Sequence, residues 1–143
     1  MTIAVGQADF DAICRHGESD YPHECCGLLI GTFAADGKKT VLQTYPISNS
    51  REDAAKRNRF LIAPDDLMRG EKFARAGKQD VVGFYHSHPD HPAVPSQFDL
   101  DHAWPVYSYI IVSVREGRAQ ELLSYELRAD RSRFDPEDLL KGP

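Results

Sequence analysis

Residues 81–99 read VVGFYHSHPDHPAVPSQFD, and their reading sets the expectation for the whole chain. Val81 to Tyr85 is a continuous apolar run, the pattern of a strand buried on both faces. His86 and His88 close that strand before Pro89 ends it. Side chains at i and i+2 of a strand share a face, with Cα atoms about 6.6 Å apart at roughly 3.3 Å per residue. The chain returns through Pro92 and Pro95 into a short helix expected over Ser96–Trp104, stopped by Pro105. Asp99 falls in the first turn of that helix.

Outward from this stretch, helices and strands are interleaved. Phe10, Ile13, Cys14 and Gly17 lie at i, i+3, i+4 and i+7, which predicts a helix over Gln7–Glu18. Cys26–Phe33 and Thr40–Ile47 read as a hairpin around the turn at residues 35–37. Ser48–Asn58 is polar and charged and reads as a surface loop; Phe60–Ile62 reads as a short strand. Pro64, Asp65 and Asp66 suit a helix start and Gly77 its end, giving Pro64–Ala76. Tyr107–Val114 and Ala119–Leu127 form a second hairpin around Glu116-Gly117. The tail from Asp130 is polar, and Asp135-Pro136 reads as the start of a helical turn. The expected architecture is a mixed sheet with helices packed against it, one domain over residues 1–143.

Composition narrows the function. The chain has 143 residues, 41% hydrophobic and 27% charged, close to the soluble globular average. No apolar run reaches about 18 residues, so no membrane span is expected. Met1–Phe10 carries Asp9 and lacks the pattern of a signal peptide. The net charge of −5 argues against nucleic acid as a partner. The three cysteines, two of them adjacent, do not make a disulfide framework, and a cytoplasmic location is expected.

Two imidazoles on one strand face can converge on a cation, and Asp99 could supply a third ligand. Two histidines, one carboxylate and an open fourth position are the pattern of a catalytic zinc. Hydrolysis then needs a base outside the ligand set. Glu24 is the candidate, because it immediately precedes the apolar stretch Cys25–Gly31. Ser96 could reach a substrate oxygen. Each residue also has a plainer reading. Ser96-x-x-Asp99 is a helix-capping pattern, compatible with catalysis. Glu24 taken alone is a solvated charge. Asp90 and His91 read as loop residues, and His16, His23 and His102 as helix or loop surface. A cysteine hydrolase is disfavoured because Glu24 would raise the thiol pKa of Cys25 and Cys26. Ser87 points away from the histidines, and no Gly-x-Ser-x-Gly elbow occurs.

Together, Glu24 in ECCGLLIG, His86-x-His88-Pro89 and Pro95-Ser96-x-x-Asp99 resemble the JAMM (MPN+) metalloprotease motif. The ten residues between His88 and Asp99 fit it. The flanking VGFY and AWPVYSYIIVSV resemble the small bacterial branch associated with ubiquitin-like sulfur-carrier proteins. The resemblance implies an α/β (α+β) MPN fold, a cytidine deaminase-like mixed sheet flanked by helices. It implies one zinc ion per chain on His86, His88 and Asp99, with water as fourth ligand. Glu24 would take that water's proton, and Ser96 would help hold the oxyanion. The substrate implied is the peptide or isopeptide bond after the C-terminal Gly-Gly of a ubiquitin-like sulfur carrier. A Gly-Gly tail has no side chains, so it can thread a narrow groove and pair with a sheet edge. Arg51, Lys56, Arg57 and Arg59 could steer an acidic carrier, though an ordinary solvated loop explains them equally well. Related folds often pair, so a homodimer is among the expected assemblies. The alternatives are a general deubiquitinase-like isopeptidase and a non-catalytic MPN scaffold. A nucleoside deaminase is set aside, since Cys25-Cys26 is not Cys-x-x-Cys and no His-x-Glu occurs.

Overall fold

A computed structural model describes residues 2–47 and 62–142. The elements in chain order are β1 (Thr2–Val5), α1 (Gln7–Asp20), β2 (Cys26–Phe33), β3 (Lys39–Ile47), α2 (Pro64–Ala76), β4 (Asp80–Pro89), α3 (Gln97–His102), β5 (Ser108–Arg115), β6 (Arg118–Leu127) and β7 (Phe134–Lys141). The strands close in the order β1-β3-β2-β4-β5-β6-β7, with β7 pairing back onto β1. The mixed sheet with helices is therefore present, and it is closed. No described helix is long and apolar enough to cross a membrane. The surface loop read at Ser48–Asn58, Phe60 and Leu61 of the short strand, and the four basic residues from Arg51 to Arg59 lie outside the described residues. Ile62 belongs to no strand.

Two apolar clusters flank the sheet. Ile13 of α1 packs with Val5, Leu29, Val82, Tyr85, Val112 and Val114. Ala74 of α2 packs on the other side with Leu28, Ile30, Phe84 and Tyr109. Strand β4 serves both by the alternation of its side chains, and it carries a bulge. Leu29 of β2 pairs with Gly83, but Ile30 pairs with Val81, so Val82 is an extra residue. The bulge rephases the alternation. Val82 and Tyr85 face α1, whereas Phe84 belongs to the opposite cluster, and His86 continues its face. Next to the bulge, β4 and β5 approach closely. A Cβ at Gly83 would stand 2.2 Å from the Ser108 carbonyl oxygen. Gly83→Ala is expected to lower stability by about 1–3 kcal/mol, read as a fall in the urea midpoint. An unchanged midpoint would mean the two strands are spaced more widely.

Strands β4 and β5 run parallel, so the chain between them must cross over. That crossover carries α3 back over the C-terminal end of β4, the end of the sheet where ligands of α/β folds gather.

Several expectations need correction. The C-terminal helical turn at Asp135-Pro136 is instead strand β7. Pro136 pairs with Tyr125 of β6, and Glu137 is the inward residue of the strand. Strand β1 was not expected; Ile3 and Val5 are fully buried within it. Helix α3 is shorter than Ser96–Trp104, because Ser96 is its N-cap and Ala103 its C-cap.

Candidate active site

The two histidines lie on one face of β4, His86 at 1% exposure and His88 at 8%. Their Nε2 atoms are 3.2 Å apart. Asp99 completes the group: Oδ1 lies 3.2 Å from His86 Nε2 and Oδ2 lies 3.2 Å from His88 Nε2. The carboxylate is held there by a capping box. Ser96 N–H donates to Asp99 Oδ2 at 2.8 Å, and Asp99 N–H donates to Ser96 Oγ at 3.1 Å. His88 Nδ1 is 2.9 Å from the Pro92 carbonyl, which can only accept. The proton therefore sits on Nδ1 and the Nε2 lone pair faces the cluster.

These three residues fit a tetrahedral cation. Ligands about 2.0–2.1 Å from a zinc ion stand roughly 3.3 Å from one another, close to the observed donor separations. The ionisation states agree. Burial drives the His86 pKa down against the pull of Asp99, which favours the neutral imidazole a metal needs. Burial alone would raise the Asp99 carboxyl, but the charges and hydrogen bonds around it, the Ser96 N–H among them, outweigh it and hold it well below the usual carboxylate range.

Glu24 is a second buried carboxylate at the same place, 4% exposed. An oxygen of Glu24 and a ring nitrogen of each histidine lie within 4.8 Å of one another. Glu24, His86 and His88 are thus also a set that could hold a cation. Asp99 lies closer, with one oxygen 3.2 Å from each Nε2 atom, so both carboxylates stand within reach of the histidines. Register explains how Glu24 arrives. Cys26 of β2 pairs with His86 as the last rung of the ladder, and Glu24 lies two residues before Cys26 as His88 lies two residues after His86.

The remaining sequence candidates separate clearly. Ser96 is exposed at the rim of the cluster. Asp90 is a loop tie: it accepts from Tyr21 Oη at 2.6 Å and from Glu116 N–H at 2.9 Å. His91 and His23 are exposed, and His102 is exposed with its ring stacked on Phe98. His16 departs from its surface reading. Its Nδ1 lies 2.6 Å from the hydroxyl of buried Tyr85, and its ring meets that of Tyr85 edge-on. Cys25 and Cys26 are fully buried on opposite sides of the sheet. Burial pushes the Cys25 thiol up to about 12 and Cys26 above its usual range as well, so neither is a nucleophile.

Sequence reasoning missed the cavity beside the cluster. It has a volume of about 600 Å³, and His86 and Asp99 share its wall with Phe84, Phe98, Trp104 and Tyr107. Its aromatic residues come from β4, α3, the segment between α3 and β5, and β5 itself, so no local periodicity marks them.

A buried two-histidine cluster with two carboxylates beside it, at the C-terminal end of a parallel strand pair, is a group of side chains that could hold a metal ion. The chain belongs to the JAMM (MPN+) family: residues 6–127 match the family of prokaryotic homologs of the JAB domain. It is 36% identical over 108 residues to a desampylase of Haloferax volcanii, covering 72% of this chain and 74% of that one. It is 30% identical over 127 residues to the CysO-cysteine peptidase of Mycobacterium tuberculosis, covering 87% and 83%. A solution structure of a Desulfitobacterium hafniense protein matches with a TM-score of 0.84 and 27% identity, covering 97% and 92%.

Proposed function

We propose that this chain is a zinc-dependent metalloprotease that hydrolyses the peptide or isopeptide bond after the C-terminal Gly-Gly of a ubiquitin-like sulfur-carrier protein. The observation that carries the reading is the division between two buried carboxylates. Asp99 lies against both Nε2 atoms, while Glu24 stands beside the same histidines from the segment just before β2. On this reading Asp99 is the ligand carboxylate and Glu24 the one that moves protons. The relatives support the substrate class through their names, a desampylase and a CysO-cysteine peptidase.

His86, His88 and Asp99 would hold the zinc. When bound, zinc supplies a Lewis acid that acidifies water and polarises a carbonyl. Glu24 takes the proton of the attacking water and delivers it to the leaving amine. Its carboxylate is nearly shut off from bulk solvent, so the proton it gains is retained until the amine departs. Ser96 Oγ accepts from the Asp99 amide, which leaves its O–H to donate to the oxygen on which charge develops. Each described strand has a strand neighbour on both sides over part of its length. The seat for the tail on this reading is the aromatic cavity, whose wall includes His86 and Asp99. Glycines at the cut bond let the tail backbone approach His86 and Asp99 closely.

The test is mass spectrometry of a ubiquitin-like carrier that extends beyond Gly-Gly, incubated with the zinc-loaded protein. Loss of the extension, abolished by a chelator and restored by zinc, is the expected result. Intact extensions across several carriers and an isopeptide-linked conjugate would overturn the reading in favour of a non-catalytic scaffold. His88→Ala is expected to reduce zinc from about one per chain to a small fraction. Normal zinc content in that variant would remove His88 from the ligand set.

A further inference from the structure

Ser87 lies between the two histidines yet faces away from them, fully buried. The proposed reaction gives it no role. Its contacts point to one. The Cys25 N–H donates to Ser87 Oγ at 2.8 Å, and the Ser87 N–H donates to the Cys25 carbonyl at 3.2 Å. In a regular antiparallel ladder two opposed residues exchange both bonds through their backbones. Here a hydroxyl replaces one backbone acceptor. This pair lies just beyond the last rung of the β2–β4 ladder, Cys26 with His86. The next residue out is Glu24.

We propose that Ser87 is a positioning residue that fixes Glu24 against the two histidines through the Cys25 amide. The inference rests on the reading of Glu24 as the proton carrier. Glu24 precedes β2, so regular strand pairing does not reach it. The two-bond clamp at Cys25 is what carries the pairing one residue further. It also anchors Cys25 on the α1 side of the sheet, which turns the neighbouring Glu24 side chain to the histidine side. Because Ser87 sits on β4 between His86 and His88, one strand sets both the ligands and the clamp. A shift of β4 then carries the base with it. Without the hydroxyl, a buried N–H loses its acceptor, and the segment would move to recover a partner.

The test compares Ser87→Ala, Ser87→Thr and Glu24→Gln in the zinc-loaded full chain, using an extended carrier. Ser87→Ala is expected to keep about one zinc per chain and a KM within about twofold, and to lower kcat about 10–100-fold, the scale of a misplacement near 1 Å. Ser87→Thr, which keeps the hydroxyl, is expected to retain kcat within about threefold. In the Glu24→Gln background, Ser87→Ala is expected to cost no further residual rate, since both act through one group. Full kcat in Ser87→Ala while Glu24→Gln is inactive would overturn this inference alone. Equal impairment of the Ala and Thr variants, or loss of zinc together with kcat, would also overturn it, because Ser87 would then act through packing or the ligands. An active Glu24→Gln would instead overturn the underlying reading of the base.

Discussion

Glu24→Gln is expected to lower kcat by about 10²–10⁴-fold while leaving zinc content near one per chain. The glutamine has the shape of the glutamate but cannot accept a proton from water. Glu24 is 4% exposed, so bulk solvent cannot readily replace it as the base. His86, His88 and Asp99 remain in place, since their mutual contacts at 3.2 Å do not involve Glu24. The separation of effects is the informative part: rate falls and metal stays. Steady-state cleavage of an extended carrier and elemental analysis on the same sample measure both. Retained activity would remove Glu24 from the mechanism. Loss of zinc with activity would make Glu24 a ligand and leave Asp99 as the candidate base.

Lys39→Met is expected to destabilise the fold by about 3–5 kcal/mol, the second large effect. Lys39 is 1% exposed, and its Nζ donates to Glu126 at 2.6 Å and to Glu137 at 3.3 Å. The Glu137 side chain has no exposed surface. Its other oxygen accepts from Ser108 Oγ at 2.6 Å and Ser124 Oγ at 2.8 Å. The network joins β3, β5, β6 and β7 at the end of the barrel away from the histidines. Methionine fills much of the lysine volume but leaves the Glu137 charge buried with two hydroxyls. Glu126 is 22% exposed and can turn to water; Glu137 cannot. Adding Glu137→Gln to Lys39→Met is expected to recover part of the loss, because it removes the stranded charge. Chemical denaturation of the single and double variants measures this. A single variant within about 1 kcal/mol of wild type would show that the ion pair adds little to closing the barrel.

This network also explains where sequence reading stopped. Strand β7 turns a glutamate inward, so its residues 134–141 show no apolar alternation. An inward charge is stable only when its partners exist, and those partners come from three other strands. Strand β1 is four residues long, too short for periodicity to register. The hairpins, α1 and α2 were readable because each carries its own pattern: alternation for strands, an apolar face or capping proline and glycine for helices. Cys26–Phe33 and Pro64–Ala76 match the expected bounds to the residue. His16 was misread because its partner, Tyr85, is 69 residues away.

The candidate site divides along the same line. By itself the sequence determined that His86 and His88 share a strand face, that Asp99 opens a helix behind a capping serine, and that the chain resembles the JAMM family. These are local matters, governed by strand alternation, capping chemistry and spacing. The tertiary structure alone decided that the crossover brings the Asp99 carboxylate within 3.2 Å of both imidazoles. It alone decided that Glu24, some 60 residues upstream, arrives beside them, that Ser87 clamps the segment carrying it, and that an aromatic cavity opens next to them. Each of these depends on which strands neighbour β4 and on the closure of the sheet, and strand pairing is a property of the folded chain that no stretch of residues carries alone.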